Sequence, residues 1–271
     1  MKLCNYALRI THYKGDYMLL AVDIGNTNKT LGAFEESDLV FTARLATETK
    51  KTADQYAVEI KNLLELNGLT AIEIEDSIIS SVVPAVGKSI SQAISKLCDI
   101  VPLMLGPGVK TGLNIKIDNP AQLGADLAAG AAGALGKYSM PCIIIDMGTA
   151  TTLSVMDESG AFLGGVIAAG VGLTLNALTQ NTALLSAIPI EAPKNTIGKY
   201  TVESMQSGLV LGTAAMIDGM VCRIEKEMGK SCTVVATGGR APQIIPHCTT
   251  KMELDENLLL DGLIKIYQKN I

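Results

Sequence analysis

The 271-residue sequence has no low-complexity tract, no cluster of basic residues, no C-x-x-C pair and no long uncharged apolar run. The first absence, in a chain that is 48% hydrophobic and 18% charged, excludes a disordered or fibrous protein. The second leaves 22 Lys+Arg against 27 Asp+Glu and a net charge of −5, so nucleic acid and anionic membranes are poor electrostatic partners. The six cysteines (4, 98, 142, 222, 232 and 248) have no histidine at ligand spacing, and they read as reduced thiols of a cytoplasmic protein. The apolar stretch Phe162 to Leu173 is 12 residues long, carries four glycines and is too short to cross a bilayer. Residues 1–17 lack the apolar core and small-residue cleavage site of a signal peptide. They read as an N-terminal extension, either a start assigned too early or a loose arm before Met18. The length suits one large or two medium domains, with enough core that neither a disulfide nor a structural metal is required.

What is present is a pattern used twice. A buried apolar segment, Leu19 to Val22, ends in Asp23, turns at Gly25-Asn26 and resumes at Thr30 to Phe34. Nearly half a chain later, Ile143 to Ile145 ends in Asp146, turns at Gly148 and resumes at Leu153 to Met156. Internal duplication of one α/β unit explains both. In the first half the pattern predicts a third strand over Leu39–Ala46 and a helix from the capping box Thr52-x-x-Gln55 to about Leu66. A strand over Ile78–Val83, a helix to Cys98 and a strand near Ile100–Met104 follow. In the second half Asn119-Pro120 is an N-cap with proline at the first helical position, which puts Gly124-Ala125-Asp126 early in a helix rich in small residues. A long helix over about Val202–Met228, a strand over Thr233–Ala236 and a terminal helix over Asn257–Gln268 complete it. Hairpins followed by alternating strands and helices indicate α/β domains with mixed sheets.

The chemistry implied is phosphate binding without a Walker A lysine or a G-x-G-x-x-G turn, since the chain has neither. A glycine-rich turn after a strand presents several unhindered backbone N–H groups to one anion. Gly25, Asn26, Thr27 and Asn28 form one such turn, and Asp23 before it suits Mg²⁺ held through water. A lone D-x-G-N is most often an ordinary hairpin turn, but a second related loop, Asp146-Met147-Gly148-Thr149, makes a pair. A third turn, Thr237-Gly238-Gly239, permits close approach by a flat ligand such as a purine and equally suits a plain strand-to-helix connection. Asp126, judged by position alone, is an acid stabilising a helix N-terminus. His12 and His247 have no companion residues.

These motifs resemble the type III pantothenate kinases, in the superfamily of acetate and sugar kinases, heat-shock chaperones and actin. The resemblance runs from Met18 to the end. It rests on DIGNTN at 23–28, GAD at 124–126, DMGTATT at 146–152, GGVIAAG at 164–170, IGKYTVESMQSG at 197–208, TGG at 237–239 and LLLDGLIKIY at 258–267. It implies duplicated ribonuclease H-like (actin-like) domains with a nucleotide cleft between them: 18–122 with the first phosphate motif, and 123–271 with the second phosphate and adenosine motifs. It further implies ATP- and Mg²⁺-dependent phosphorylation of pantothenate to 4'-phosphopantothenate, the first step of coenzyme A synthesis, by a cytoplasmic homodimer.

By this resemblance Asp23, Gly25, Asn26, Thr27, Asn28 and Thr30 belong to the first phosphate motif. Gly148, Thr149, Gly238 and Gly239 are further ATP contacts. Asp126 corresponds to the general base, flanked by Gly124 and Ala125 in the substrate site. Asp146 corresponds to the ligand of a monovalent cation, K⁺ or NH₄⁺, and Thr201 to a substrate contact made across the dimer interface. The chain departs from the pattern at Leu127, where the family has arginine, at Ile117, where an aromatic is usual, and at Ala169, where proline is usual. Arg240 and Lys199 are the candidate replacement cations. The departures keep two alternatives open: a non-catalytic nucleotide-binding regulatory protein of this fold, and a kinase for another small hydroxylated acid.

Overall fold

The computed structural model describes residues 18–271; the extension 1–17, with Cys4 and His12, lies outside the described residues. Two compact units are present. The first comprises residues 18–24 and Asn28–Leu105, the second Gly25–Thr27 and Gly106–Ile271.

The first unit contains β1 (Met18–Ile24), β2 (Asn28–Glu35), β3 (Asp38–Ala46), α1 (Ala53–Leu66), β4 (Ile74–Ser81), α2 (Pro84–Cys98) and β5 (Leu103–Met104). Its sheet runs β3-β2-β1-β4-β5, antiparallel through the first three strands and parallel from β1 to β5. The central strand reads as a continuous apolar run because both of its faces are covered. Leu20, Val22 and Ile24 lie under Tyr56, Ile60 and Leu64 of α1 and Ile90 and Ile94 of α2. The capping box forms in full: Gln55 N donates to Thr52 Oγ1, and Thr52 N donates to Gln55 Oε1. The strand expected over Ile78–Val83 instead spans Ile74–Ser81. Acidic Glu75 and Asp76 hide its start, and its end is set by Ser81, whose hydroxyl bonds both the N–H and the C=O of Val83 at the head of α2.

The second unit contains α3 (Ala125–Ala134), β6 (Cys142–Met147), β7 (Ala150–Met156), β8 (Phe162–Ala169), α4 (Val171–Asn181), α5 (Thr201–Gln206), α6 (Gly212–Met228), β9 (Thr233–Thr237), α7 (Ala241–Ile244), β10 (Glu253–Leu254) and α8 (Leu258–Gln268). The sheet order β8-β7-β6-β9-β10 repeats that of the first unit, with the same antiparallel hairpins and parallel additions. The fold is therefore a duplicated ribonuclease H-like α/β architecture with two mixed sheets. The match extends to single residues. Asp23 pairs with Thr30 on β2 and Ser80 on β4, and Asp146 pairs with Thr152 on β7 and Thr237 on β9.

Three local details differ from the sequence reading. Asn119 caps only a single 3-10 turn, Pro120–Gln122, and α3 begins afresh at Ala125 with Gly124 as its N-cap, so Asp126 is still in the first turn. Segment 106–122, read with the first domain, lies in the second unit, where Lys116 N and Phe162 N exchange backbone bonds with Phe162 and Asn114. The long helix is α5 and α6 joined by a π turn over Ser207–Leu211. By length and composition this helix, Thr201–Met228, could cross a membrane, but Leu209, Val210, Ala214, Ile217 and Val221 bury one side of it in the core of the second unit.

The small residues of α3 have a packing role. A Cβ on Gly262 of α8 would overlap the Ala129 carbonyl, and one on Gly133 would overlap that of Leu258, so the two helices meet backbone to backbone. Lys265 of α8 then donates to the Gly133 and Leu135 carbonyls, both at 2.8 Å, and closes the C-terminal end of α3.

Candidate active site

Asp126 stands in the first turn of α3, half-buried, with Oδ1 accepting from Leu127 N at 2.9 Å. Burial pushes its carboxyl above the usual carboxylate range, against the smaller opposing effect of that N–H and its own. Gly124 keeps room for the carboxylate, since a Cβ there would lie 2.6 Å from Asp126 Oδ1. Ala125 opens the helix beside it. A carboxylate with a raised pKa near a helix start is suited to accepting a proton.

The second glycine-rich loop is held from three directions. Gly148 N donates to Ala150 O at 2.9 Å, Gly170 N to Thr149 O at 3.1 Å and Arg240 N to Met147 O at 3.1 Å. Two glycines are required by close approach. A Cβ on Gly170 would sit 2.5 Å from the Gly148 and Thr149 carbonyls. Gly238, at φ +90°, lies on Asp146 and Met147, where a Cβ would be 2.6 Å from Met147 N. The turn Thr237-Gly238-Gly239 is thus packed against the loop that follows Asp146, and Gly239 is exposed. Gly25–Thr27 also belongs to this unit, and Thr27 Oγ1 lies 2.7 Å from Thr149 Oγ1. One hydroxyl from each glycine-rich turn therefore meets the other.

Asp23, Asn28 and Thr30 lie in the first unit, where Asp23 and Thr30 share one face of the sheet. Beside Asp23, Ser80 Oγ is buried with no hydrogen-bond partner among the described residues, and beside Asp146 the same holds for Thr152 Oγ1. A carboxylate next to an unsatisfied buried hydroxyl is a hard oxygen donor set that suits Mg²⁺ or K⁺. Among the described residues no group of three or more His, Cys, Asp or Glu could enclose a metal by itself.

Thr201 is the exposed first residue of α5. Gly198 packs against this helical turn so tightly that a Cβ would meet Glu203 and Ser204 backbone atoms. Of the candidate cations, Arg240 donates through Nη1 to Gln243 at 3.0 Å, and Lys199 contributes its backbone N–H to Glu203. Leu127 is half-buried; Ile117 packs with Leu123 against the Ile144, Phe162 and Val235 cluster; Ala169 is exposed at the end of β8. Sequence reasoning missed Ser80, Thr152 and Thr237 as carboxylate neighbours, because cross-strand pairing sets them.

A family model described as type III pantothenate kinase matches residues 19–223. The chain belongs to the type III pantothenate kinase family. Its relatives include the type III pantothenate kinase of Halalkalibacterium halodurans, 41% identical over 94% of this chain and the whole of the relative. That of an Exiguobacterium species is 40% identical over 93% of this chain and 99% of the relative. Among solved structures, a protein assigned as a 2-dehydro-3-deoxygalactonokinase from Sinorhizobium meliloti superposes with a TM-score of 0.61. It is 12% identical over 93% of this chain and 96% of that one, a likeness of fold alone. The family is one of kinases, which sets aside the reading of this chain as a non-catalytic regulator.

Proposed function

We propose that this family member phosphorylates pantothenate at its primary hydroxyl with ATP, in the first step of coenzyme A synthesis, and that Asp126 is the general base. The observation that carries the reading is the meeting of Thr27 and Thr149, which brings hydroxyls from the two glycine-rich phosphate motifs to within 2.7 Å. In phosphoryl transfer the protein mainly positions the reactants and neutralises charge. Asp126 takes the hydroxyl proton as the oxygen attacks the γ-phosphorus, and ADP leaves. Backbone N–H groups of the Gly25–Asn28 turn and of Thr149 hold phosphate oxygens, Gly148 shapes the second loop through its bond to Ala150 O, and Gly238 and Gly239 face the adenosine. When bound, Mg²⁺ supplies positive charge against the phosphates. Asp23 is its proposed holder through water, and Asp146, with Thr152, the proposed holder of K⁺ or NH₄⁺.

A homodimer with Thr201 serving the partner's site is part of this proposal. In support, Leu163 and Ile167 are exposed on the edge strand β8, and Leu173, Leu184, Ile197 and Tyr200 are exposed on α4 and the segment leading to α5. Large apolar side chains left exposed on an edge strand and on the chain that follows it suit a covered surface. We place the reaction in the cytoplasm, in keeping with five free cysteines among the described residues.

The test is a coupled ADP-release assay with Mg²⁺ and K⁺ and a panel of small hydroxylated acids. Pantothenate should give the highest kcat/KM. A second reading, another hydroxylated acid as acceptor, is favoured by Leu127 and Ile117, which depart from the family pattern. Loss of one charge-assisted contact at Leu127 corresponds to about 1.5–3 kcal/mol. Leu127→Arg should lower the KM for pantothenate about tenfold or more; a higher kcat/KM with another acid in the wild-type protein selects the second reading.

A further inference from the structure

Lys29 directly follows the first phosphate turn and is fully buried. Its strand alternates: Asn28 and Thr30 are on the face that carries Asp23, whereas Lys29 points with Leu31 and Ala33 into the core under α1. An aliphatic side chain would satisfy packing there. Instead Lys29 Nζ donates to Ala46 O, the last carbonyl of β3, at 2.7 Å and pairs with Glu59 Oε1 of α1 at 2.7 Å. Its ammonium also sits 4.9 Å from the centroid of the Tyr56 ring. Glu59 is shared with Lys51, which also pairs with Glu48 at 2.7 Å, and the Tyr56 hydroxyl donates to Glu48 O at 2.6 Å. Two cations and two anions thus close a network on one side of the sheet.

We propose that Lys29 is a positioning residue for the ATP-phosphate turn. The turn Gly25–Asn28 is bounded by the pair Ile24 and Lys29. Bolting Lys29 at once to the end of β3 and to α1 fixes the base of the turn and, through the backbone, the facing of Asn28 and Thr30. Buried ion pairs contribute little net stability against apolar replacements of similar volume, while removing one partner is costly. Position can therefore be separated from stability by experiment. The inference rests on the reading of Gly25–Asn28 as a phosphate turn, and the control below tests that reading separately.

Lys29→Met, Glu59→Gln and the double Lys29→Met/Glu59→Met are compared with wild type in melting temperature and in KM for ATP and for pantothenate. The single Lys29→Met should lower Tm. The double variant should recover Tm yet keep a KM for ATP about tenfold above wild type, the equivalent of one lost phosphate hydrogen bond, with KM for pantothenate unchanged. Glu59→Gln, which keeps an acceptor for Lys29 but removes the charge, should move the ATP KM in the same direction by less. A wild-type ATP KM in the double variant, or in Glu59→Gln where the double fails to fold, overturns the inference. Thr27→Val is the control. If it too leaves the ATP KM unchanged, the phosphate-turn reading has failed; if it alone raises the KM, only the role of Lys29 has.

Discussion

Replacing Asp126 with asparagine separates chemistry from folding, because the two should move in opposite directions. Asparagine keeps the volume and an oxygen to accept from Leu127 N at the 2.9 Å position, but it cannot take a proton. Loss of a general base costs about 10²–10⁴-fold in turnover, or about 2.7–5.4 kcal/mol of barrier. ATP affinity, measured by titration calorimetry, should be unchanged. Stability follows from the raised pKa of the folded state. A folded protein that holds this proton more tightly than the unfolded chain loses stability as pH rises through the folded pKa. At neutral pH the ionised, half-buried carboxylate is therefore a net cost, and Asp126→Asn should melt higher than wild type. The gain should shrink as pH falls towards the unfolded carboxylate pKa. In wild type, turnover should decline on acidification through the same raised pKa. A variant with near wild-type turnover refutes the base assignment. One whose turnover collapses together with its melting temperature refutes the electrostatic argument.

Other consequences are open to equally direct measurement. Gly238→Ala places a Cβ 2.6 Å from Met147 N at φ +90°; the strain, about 1–3 kcal/mol, should lower Tm and weaken ATP binding by calorimetry, and wild-type affinity would disprove the packing of this turn on the Asp146 loop. If Asp146 holds a monovalent cation, initial rates should be high in K⁺ or NH₄⁺ and low in Na⁺ alone, whereas equal rates in all three remove that role. If Thr201 serves the partner's site, activity should fall on dilution below the dimer dissociation constant. Mixing an impaired Thr201→Val protein with Asp126→Asn should then regenerate one complete site per mixed dimer. No recovery despite verified subunit exchange rejects the shared site.

The hairpin after each D-x-G turn, the helix α1 and the repeat of the turn itself were legible because each rests on local pattern: apolar runs, a capping box, glycine after an acid. The hydroxyl residues beside the carboxylates were not, since Ser80 and Thr237 come opposite Asp23 and Asp146 only through parallel pairing across long connections. Asn119-Pro120 misled for a physical reason. The cap is real, but Leu123 and Gly124 take extended conformations and break the helix it begins after one turn. Lys29 left one trace in the sequence, a lone cation on the apolar side of an alternating strand, which pattern alone would assign to solvent. Its countercharge, Glu59, comes from a different element, and only packing joins them.

The duplication also explains why only one half carries the proposed adenosine turn. Both halves place a carboxylate on the first strand beside a hydroxyl residue on the fourth. After that strand they diverge. In the first unit the chain continues through Val82 and Val83, and the Ser81 hydroxyl occupies the hydrogen-bonding groups at the head of α2, which begins with Pro84. In the second unit the register that matches Ser80 with Thr237 puts Gly238 and Gly239 where the first has Ser81 and Val82, and φ +90° at Gly238 lets the backbone fold down onto Asp146 and Met147 and leaves no side chain above it. The serine that stands at the equivalent position in the first unit could not adopt that conformation without strain, because a Cβ at positive φ crowds its own backbone. A tight glycine turn needs only a strand end and small residues, and both units have one after their first strand. A surface flat enough for a purine needs a backbone bare of side chains, and two glycines after one strand are sufficient to make that difference.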